Sequence, residues 1–505
     1  MIGSIRPGST GYTIRHPDCF FVGGEWHAPE ERRSSNVISP SDEQVVAQVA
    51  AGGEPDIDKA VSAARDAFDH GPWPRASAAE RADALRRIAA KLRDRLAEIA
   101  WATTLEMGGP LAITIPSAAR AISLFDEYAD LLEHYPIEDV RRRANGEYTV
   151  VVSEPVGVVA AIVPWNGPTL LAALKVAPAL AAGCAVVLKP APETPLDAYI
   201  LAECIEAAGL PPGVFNMISA DREASECLIR HPGIDKISFT GSTAVGKHIL
   251  EVAAQRIARV SLELGGKSAA IVLDDADPAV VTARMASEVT MNTGQVCAAL
   301  TRMIVPRGRM REYGKLLCEA VAQAKVGDPF EEGTQVGPLA MGRQLKRVEE
   351  YIGKGRDEGA VLLGGGGRPS HLNRGFYIEP TIFTDVDPRM TIAREEIFGP
   401  VACLIGHDGL DDAIEIANDS CFGLHGAIFT QDVDAAYAAA RRIRTGSVGH
   451  NLRLMDWQMP FGGFKQSGLG REGGIEGFRS YLEIKTIYVA RPPSVQSTKT
   501  GGKGS

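Results

Sequence analysis

Residues 158–188, VVAAIVPWNGPTLLAALKVAPALAAGCAVVL, decide the fold class. The first six are apolar without a break, the signature of a strand buried on both faces. Pro164 and Pro168 bracket a short rigid excursion, after which Leu170 to Ala182 reads as a helix. Gly183 ends that helix, and Ala185 to Leu188 opens a second apolar strand. The rhythm repeats downstream: a helix over Ala198 to Ala208 lies between the strands Ala185 to Leu188 and Val214 to Ile218, and a further strand follows at Ile234 to Thr240. Successive βαβ units of this kind imply an α/β fold built on a parallel sheet.

Working outward, Ile57 to Leu105 carries apolar residues at helical spacing (Leu85, Ile88, Ala89, Leu92, Leu96, Ile99), so consecutive amphipathic helices are expected there. Tyr148 to Val152 reads as a β-branched strand. After Lys267 the pattern restarts with a strand over Ala269 to Val272 and a helix from Pro278 to about Asn292, which puts a domain boundary near residue 265. Gly364 to Gly367 reads as a surface turn, and residues 491–505, rich in Ser, Thr, Lys and Gly, as a disordered tail. Tyr481 to Val489 alternates like a strand with nothing after it to pair with, which suggests that it completes a sheet on another subunit.

A chain of 505 residues exceeds what one hydrophobic core accommodates. With 45% hydrophobic and 23% charged residues, the composition is that of a globular enzyme. The net charge of -10 offers no general attraction to phosphate backbones, so a nucleic-acid partner is not expected. The eight cysteines include no CxxC pair and no zinc-type His/Cys spacing, so a reducing compartment is expected and no metal. Met1 to Cys19 lacks the apolar run of a signal peptide, and no stretch approaches the roughly 20 apolar residues of a membrane span. A cytoplasmic protein with no membrane association is the expectation.

Four segments carry chemistry. The strand ending at Thr240 runs into Gly241, Ser242 and Thr243 and then a helix, which points free N–H groups and a positive helix end at an anion; the spacing to Gly246 is not GxGxxG, and a plain βα turn is the alternative. Glu263 stands just before the double glycine Gly265-Gly266, where a solvated loop carboxylate is the alternative. Cys297 follows a helix end and the break at Gly294; one cysteine among eight is more often a buried small hydrophobe than a nucleophile. Asn166, within PWNGP, offers an amide N–H suited to an oxyanion.

Together these segments resemble the aldehyde dehydrogenase superfamily, from about Phe21 to Val489. PWNGP, FTGSTAVG, LELGGK, GQVCAA, EEIFGP (Glu395 to Pro400) and PFGGFKQSGLGRE (Pro460 to Glu472) occur in the family's order, with the family's spacing between Glu263 and Cys297. The resemblance implies a Rossmann-like coenzyme domain (20–136 and 154–264), a second α/β catalytic domain carrying the cysteine (265–449), and a small β oligomerisation element (137–153 and 480–490) of a homodimer or homotetramer. It also implies a mechanism: Cys297 attacks the aldehyde carbon, Asn166 and the Cys297 N–H hold the oxyanion, a hydride leaves to a nicotinamide, and Glu263 activates the water that hydrolyses the thioester. By the same likeness Ile162, Val163, Pro164 and Trp165 line the coenzyme cleft. Lys189 and Glu396 contact ribose hydroxyls, Phe398 packs near the nicotinamide, and Gly241, Ser242, Gly246 and Leu264 complete the cofactor site. Lys175 and Glu472 match a proton-relay path, with a surface lysine and a structural salt bridge as the alternative.

The chain departs from the family pattern in two places. Pro192 stands where many NAD-preferring members carry a glutamate and Glu193 is displaced by one, so NAD is expected as cofactor with NADP as the alternative. Gly167 and Leu174 stand where members favouring small aldehydes carry bulky aromatics, which implies a wider apolar tunnel for long-chain, cyclic or aromatic aldehydes, with Trp457 and Phe461 as its wall. Two other functions compete. A CoA-acylating semialdehyde dehydrogenase commonly lacks the glutamate found here as Glu263, and a non-catalytic binding homologue would have lost Cys297, Glu263 or Asn166.

Overall fold

The apolar runs read from the sequence become the middle of a twisted sheet. The computed structural model describes residues 11–493. Residues 494–505, most of the expected tail, lie outside them. Five parallel strands form the centre of an eight-stranded sheet, in the order Arg259–Glu263, Lys236–Thr240, Val158–Ile162, Ala185–Lys189 and Phe215–Met217. Gly468–Leu469 closes one edge antiparallel, and the hairpin of Phe20–Val22 and Glu25–His27 closes the other. Helices Pro168–Ala182 and Leu196–Ala208 serve as the crossovers, each ended by a glycine in the left-handed conformation. Helices Glu54–Asp69, Ala78–Asp94 and Leu96–Met107 fall on the segment whose spacing predicted helices, and a further helix, Leu111–His134, follows beyond it.

A second sheet of seven strands begins at Ser268–Val272, which pairs in parallel with Leu300–Pro306 and His425–Phe429. The chain therefore passes from one sheet to the other across Leu264 to Lys267. The double glycine is required there by space: a Cβ on Gly266 would meet the carbonyl oxygen of Cys297 at 2.4 Å. That contact brings the Cys297 loop against the end of the first sheet.

One expectation is corrected. The strand Leu482–Val489 does not lack a partner in its own chain, because it pairs antiparallel along its whole length with Tyr148–Pro155, which also pairs with Glu138–Arg142. The pairing spans more than 300 residues of sequence, which local pattern cannot reveal. In this three-stranded sheet Leu482–Val489 is an outer strand, with Ile484 72% and Tyr488 69% exposed. Among the described residues no helix is long and apolar enough to cross a membrane.

Candidate active site

Cys297 owes its position to an unusual stretch of backbone. The helix Pro278–Thr290 stops, and Asn292, Thr293 and Gly294 follow in the left-handed region at φ 49°, 55° and 71°. For Thr293, a β-branched residue, this conformation is costly, on the order of 1–3 kcal/mol. Three contacts hold the loop in place. Thr293 Oγ1 donates to the Gly337 carbonyl at 2.9 Å, Gln295 Oε1 accepts the Ala340 N–H at 3.0 Å, and Asn292 Nδ2 donates to the Asn166 carbonyl at 2.9 Å. Gly294 leaves no room for a side chain, since a Cβ there would lie 2.2 Å from Gly399. The Cys297 loop is thus clamped between PWNGP and EEIFGP.

Asn166 completes the clamp from the other side. Its Nδ2 donates to the Gln295 carbonyl at 3.0 Å. That bond fixes the amide and uses one of its two N–H donors, leaving the second for a ligand. A cavity of about 300 Å³ opens beside it, lined by Pro164, Trp165, Asn166, Gly241, Ser242, Leu264, Cys297, Glu396 and Phe398 among the residues singled out from sequence. Trp165 and Phe398 meet edge to face across it, their ring centroids 5.3 Å apart.

Ser242 caps the twelve-residue helix Thr243–Ala254, its hydroxyl accepting the Val245 N–H at 3.4 Å, so the positive end of that helix faces the cavity rim. Glu396 is half-buried, with Oε1 accepting the Gly266 N–H at 3.0 Å; burial pushes its carboxyl up to about 7. Lys189 lies at the end of its strand with Nζ donating to the Pro190 carbonyl at 2.8 Å, and burial brings its ammonium down to about 8.

Other sequence candidates lie beside the cavity and do not line it. Ile162 and Val163 are buried at the end of the central strand, where the Val163 N–H donates to the Lys189 carbonyl at 3.2 Å. Gly246 is a packing glycine: its N–H donates to the Ser242 carbonyl, and a Cβ on it would meet Leu264 at 2.6 Å. Glu263 ends the strand Arg259–Glu263, 4% exposed, with neither carboxylate oxygen hydrogen-bonded and Oε1 facing Gly462. Burial, reinforced by Glu472, holds its carboxyl well above the usual range.

Lys175 and Glu472 form a buried ion pair, and Lys175 Nζ also donates to Thr240 Oγ1 at 2.7 Å. A surface lysine is excluded, because Lys175 is fully buried. Trp457 and Phe461 pack edge to face in the apolar cluster that touches Cys297, while Trp457 also lines a separate cavity of about 500 Å³ with Tyr128, Leu131 and Ile475. Pro192 has no carboxylate to offer, and Glu193 is tied to Arg343.

Sequence reading missed Gln344 and Arg347, which line the cavity from the helix Gly342–Asp357. Arg347 donates to the carbonyls of Glu396 and Ile397, and Gln344 to that of Phe398 at 2.7 Å, so both hold EEIFGP in place. Their spacing of three residues on one helix face was the available signal.

A sequence model described as the aldehyde dehydrogenase family matches residues 26–487. A geranial dehydrogenase from Castellaniella defragrans is 45% identical over 94% of this chain and 99% of its own length. A 3-succinoylsemialdehyde-pyridine dehydrogenase from a Pseudomonas species is 43% identical over 93% and 98%. Among solved structures, a mutant of aldehyde dehydrogenase C from Pseudomonas syringae complexed with NAD+ and octanal superposes with a TM-score of 0.92 at 42% identity, covering 96% of this chain and 100% of that one. The matched span takes in every motif that meets at the cavity, and this chain belongs to the aldehyde dehydrogenase family.

Proposed function

We propose that the protein oxidises an aldehyde to a carboxylic acid with NAD+, using Cys297 as nucleophile and Glu263 as the base for hydrolysis. The observation that carries this reading is the convergence of the Cys297 loop, the free amide donor of Asn166 and the start of the helix Thr243–Ala254 on one cavity. The donor set suits a dinucleotide. The start of the helix Thr243–Ala254 would hold its pyrophosphate, and Lys189 and Glu396 would offer a cation and a carboxylate to its hydroxyl groups.

The Cys297 thiolate adds to the aldehyde carbon, and the resulting oxyanion is held by the second Asn166 N–H and the Cys297 backbone N–H. When the C=O re-forms, the carbon gives up hydrogen with its bonding pair, leaving a thioester on Cys297. Bound NAD+ would supply the acceptor for that hydride. Glu263 then removes a proton from water, the hydroxide adds to the thioester, and the thiolate leaves with the acid released. Asn166→Ala is expected to lower kcat by about 10²–10³, while Cys297 remains open to alkylation. Unchanged kcat would remove Asn166 from the oxyanion site.

Residues 20–136 and 154–264 serve the coenzyme, 265–449 carry the nucleophile, and strands within 137–153 and 480–490 join subunits of a homo-oligomer in the cytoplasm. The exposed outer strand Leu482–Val489 supports the assembly, since such an edge invites pairing. NAD is preferred to NADP, in keeping with the NAD+ complexes of the solved relatives.

The substrate is a bulky or apolar aldehyde. Gly167 leaves space, since a Cβ there would meet only Leu171, at 3.7 Å. Leu174 belongs to the apolar cluster of Trp457 and Phe461 against which Cys297 packs. The name of one relative and the octanal bound to another agree with this. Following NADH by its absorbance, kcat/KM for octanal or an aromatic aldehyde should exceed that for acetaldehyde by about tenfold or more. A preference for acetaldehyde would overturn the wide tunnel, and no NADH with any aldehyde would overturn the function.

A further inference from the structure

Taking two charges out of water is costly unless the groups around them complete their bonding. Arg453 and Glu288 are such a buried pair, with Nε donating to Oε2 at 2.7 Å and side chains 8% and 9% exposed. Glu288 lies in the last turn of the helix Pro278–Thr290, just ahead of the left-handed turn that leads to Cys297. Arg453 lies between the strand Ser447–His450 and Trp457.

The pair closes both ends of the loop that carries the thiol. At one end Arg453 Nη2 donates to the Met291 sulfur at 2.9 Å, and Met291 directly precedes Asn292, Thr293 and Gly294. At the other end Glu288 Oε2 accepts the Leu300 N–H at 3.3 Å, three residues after Cys297. Arg453 Nη1 donates to the Met455 sulfur at 2.8 Å, and Met455 and Cys297 both pack against the apolar cluster of Trp457 and Phe461. A thioether is a weak, uncharged acceptor. Among the described residues Glu288 is the one carboxylate that pairs with Arg453, so the base of the loop holds a cation compensated from one side only.

Charges of both signs bear on the Cys297 thiol. Burial pushes it up, the carboxyls of Glu396 and Glu263 add to this, and the Arg453 guanidinium opposes them. Arg453 also bears on His425, which burial keeps neutral.

We propose that Arg453 is a positioning residue that favours the Cys297 thiolate by its charge, and that Glu288 sets how much of that charge the sulfur feels. The inference rests on Cys297 being the nucleophile. To act, the thiol gives up its proton to water and keeps the electron pair on sulfur. A cation held near the forming thiolate stabilises it, and the carboxylate paired with that cation cancels part of the effect. The two partners therefore shift the thiol in opposite directions, although both hold the same loop.

The test is the rate at which iodoacetamide alkylates Cys297 at neutral pH, read on its own peptide in the full chain, without aldehyde or coenzyme. While the thiol is mostly protonated, this rate follows the thiolate fraction, about tenfold for each pH unit by which the thiol is moved. Arg453→Met should react about tenfold more slowly than the parent and Arg453→Lys within about threefold of it. Glu288→Gln, whose amide oxygen can still accept from Arg453 and Leu300, should react about tenfold faster. A parental or slower rate in the glutamine variant, or a parental or faster one in Arg453→Met, would reduce the pair to a staple of the loop and overturn the proposal. So would a loss in Arg453→Lys as deep as that in Arg453→Met, since the guanidinium fork rather than its charge would then be responsible. Should Arg453→Met fail to fold, the glutamine variant decides alone, because only a charge effect makes it faster. Turnover keeps the two readings apart: NADH formation by Cys297→Ala defeats the nucleophile assignment, whereas an inactive Cys297→Ala beside unshifted alkylation rates defeats only the role of Arg453.

Discussion

Glu263→Gln is expected to release about one NADH per active site and then nearly stop. Addition to Cys297 and departure of the hydride need no base at Glu263 once the thiolate exists, so the first half-reaction survives. Hydrolysis of the thioester needs a proton taken from water, and an amide cannot take it. Loss of a positioned general base costs about 10²–10⁴ in rate, so steady-state kcat should fall by that factor while a rapid burst remains. Mixing enzyme with excess aldehyde and NAD+ and following NADH from the first milliseconds checks this. A burst with no slow phase in the parent's range supports the assignment, and parental steady-state turnover sinks it.

Glu263 also carries a signature in stability. Its buried carboxyl sits well above the ordinary range, first because of burial and then because of Glu472. The folded protein therefore holds that proton more tightly than the unfolded chain does. The stability this contributes is complete below the ordinary carboxyl pKa and is lost as pH rises through the raised folded value. Glutamine has no such loss, so the thermal midpoint of Glu263→Gln relative to the parent should climb with pH. The parent's stability is thus lower at the pH where the group can act as a base, a cost common at functional sites.

Part of the cavity's lining was legible from sequence because it lies at strand ends, where local pattern speaks. Val158 to Val163 followed by PWNGP, and Ile234 to Thr240 followed by GST, each read as a strand running into a turn, and the structure brings both turns to one cavity. What stayed hidden depended on long-range contacts. Gln344 and Arg347 reach the cavity from a helix with no motif of its own. The partner of Leu482–Val489 lies far away in sequence. Most instructive is KISFT at 236–240, whose polar and apolar residues alternate as they would in a strand with one wet face. Its polar face is instead buried beneath Tyr481 and Lys175, and only the fold shows that Lys236 and Ser238 are polar for a reason other than solvent.

The remaining large effect is expected at Cys297. Cys297→Ala should yield neither a burst nor steady NADH formation, because without a thiol there is no covalent adduct from which a hydride can leave. Retained helical signal and retained binding of NAD+ would show that the fold survived. The parent's thiol is not reactive by default, since burial pushes it up to about 12, with Glu396 and Glu263 adding to the effect and Arg453 opposing it. At neutral pH Cys297 is therefore almost wholly protonated in the free enzyme. Its alkylation by iodoacetamide, followed on its own peptide by mass spectrometry to separate it from the exposed Cys421, should climb about tenfold per pH unit through the neutral range without a plateau. A plateau below pH of about 8, near the ordinary thiol value, would mean that a cation rather than burial governs the thiol. Continued NADH formation by Cys297→Ala would transfer the chemistry to another group altogether.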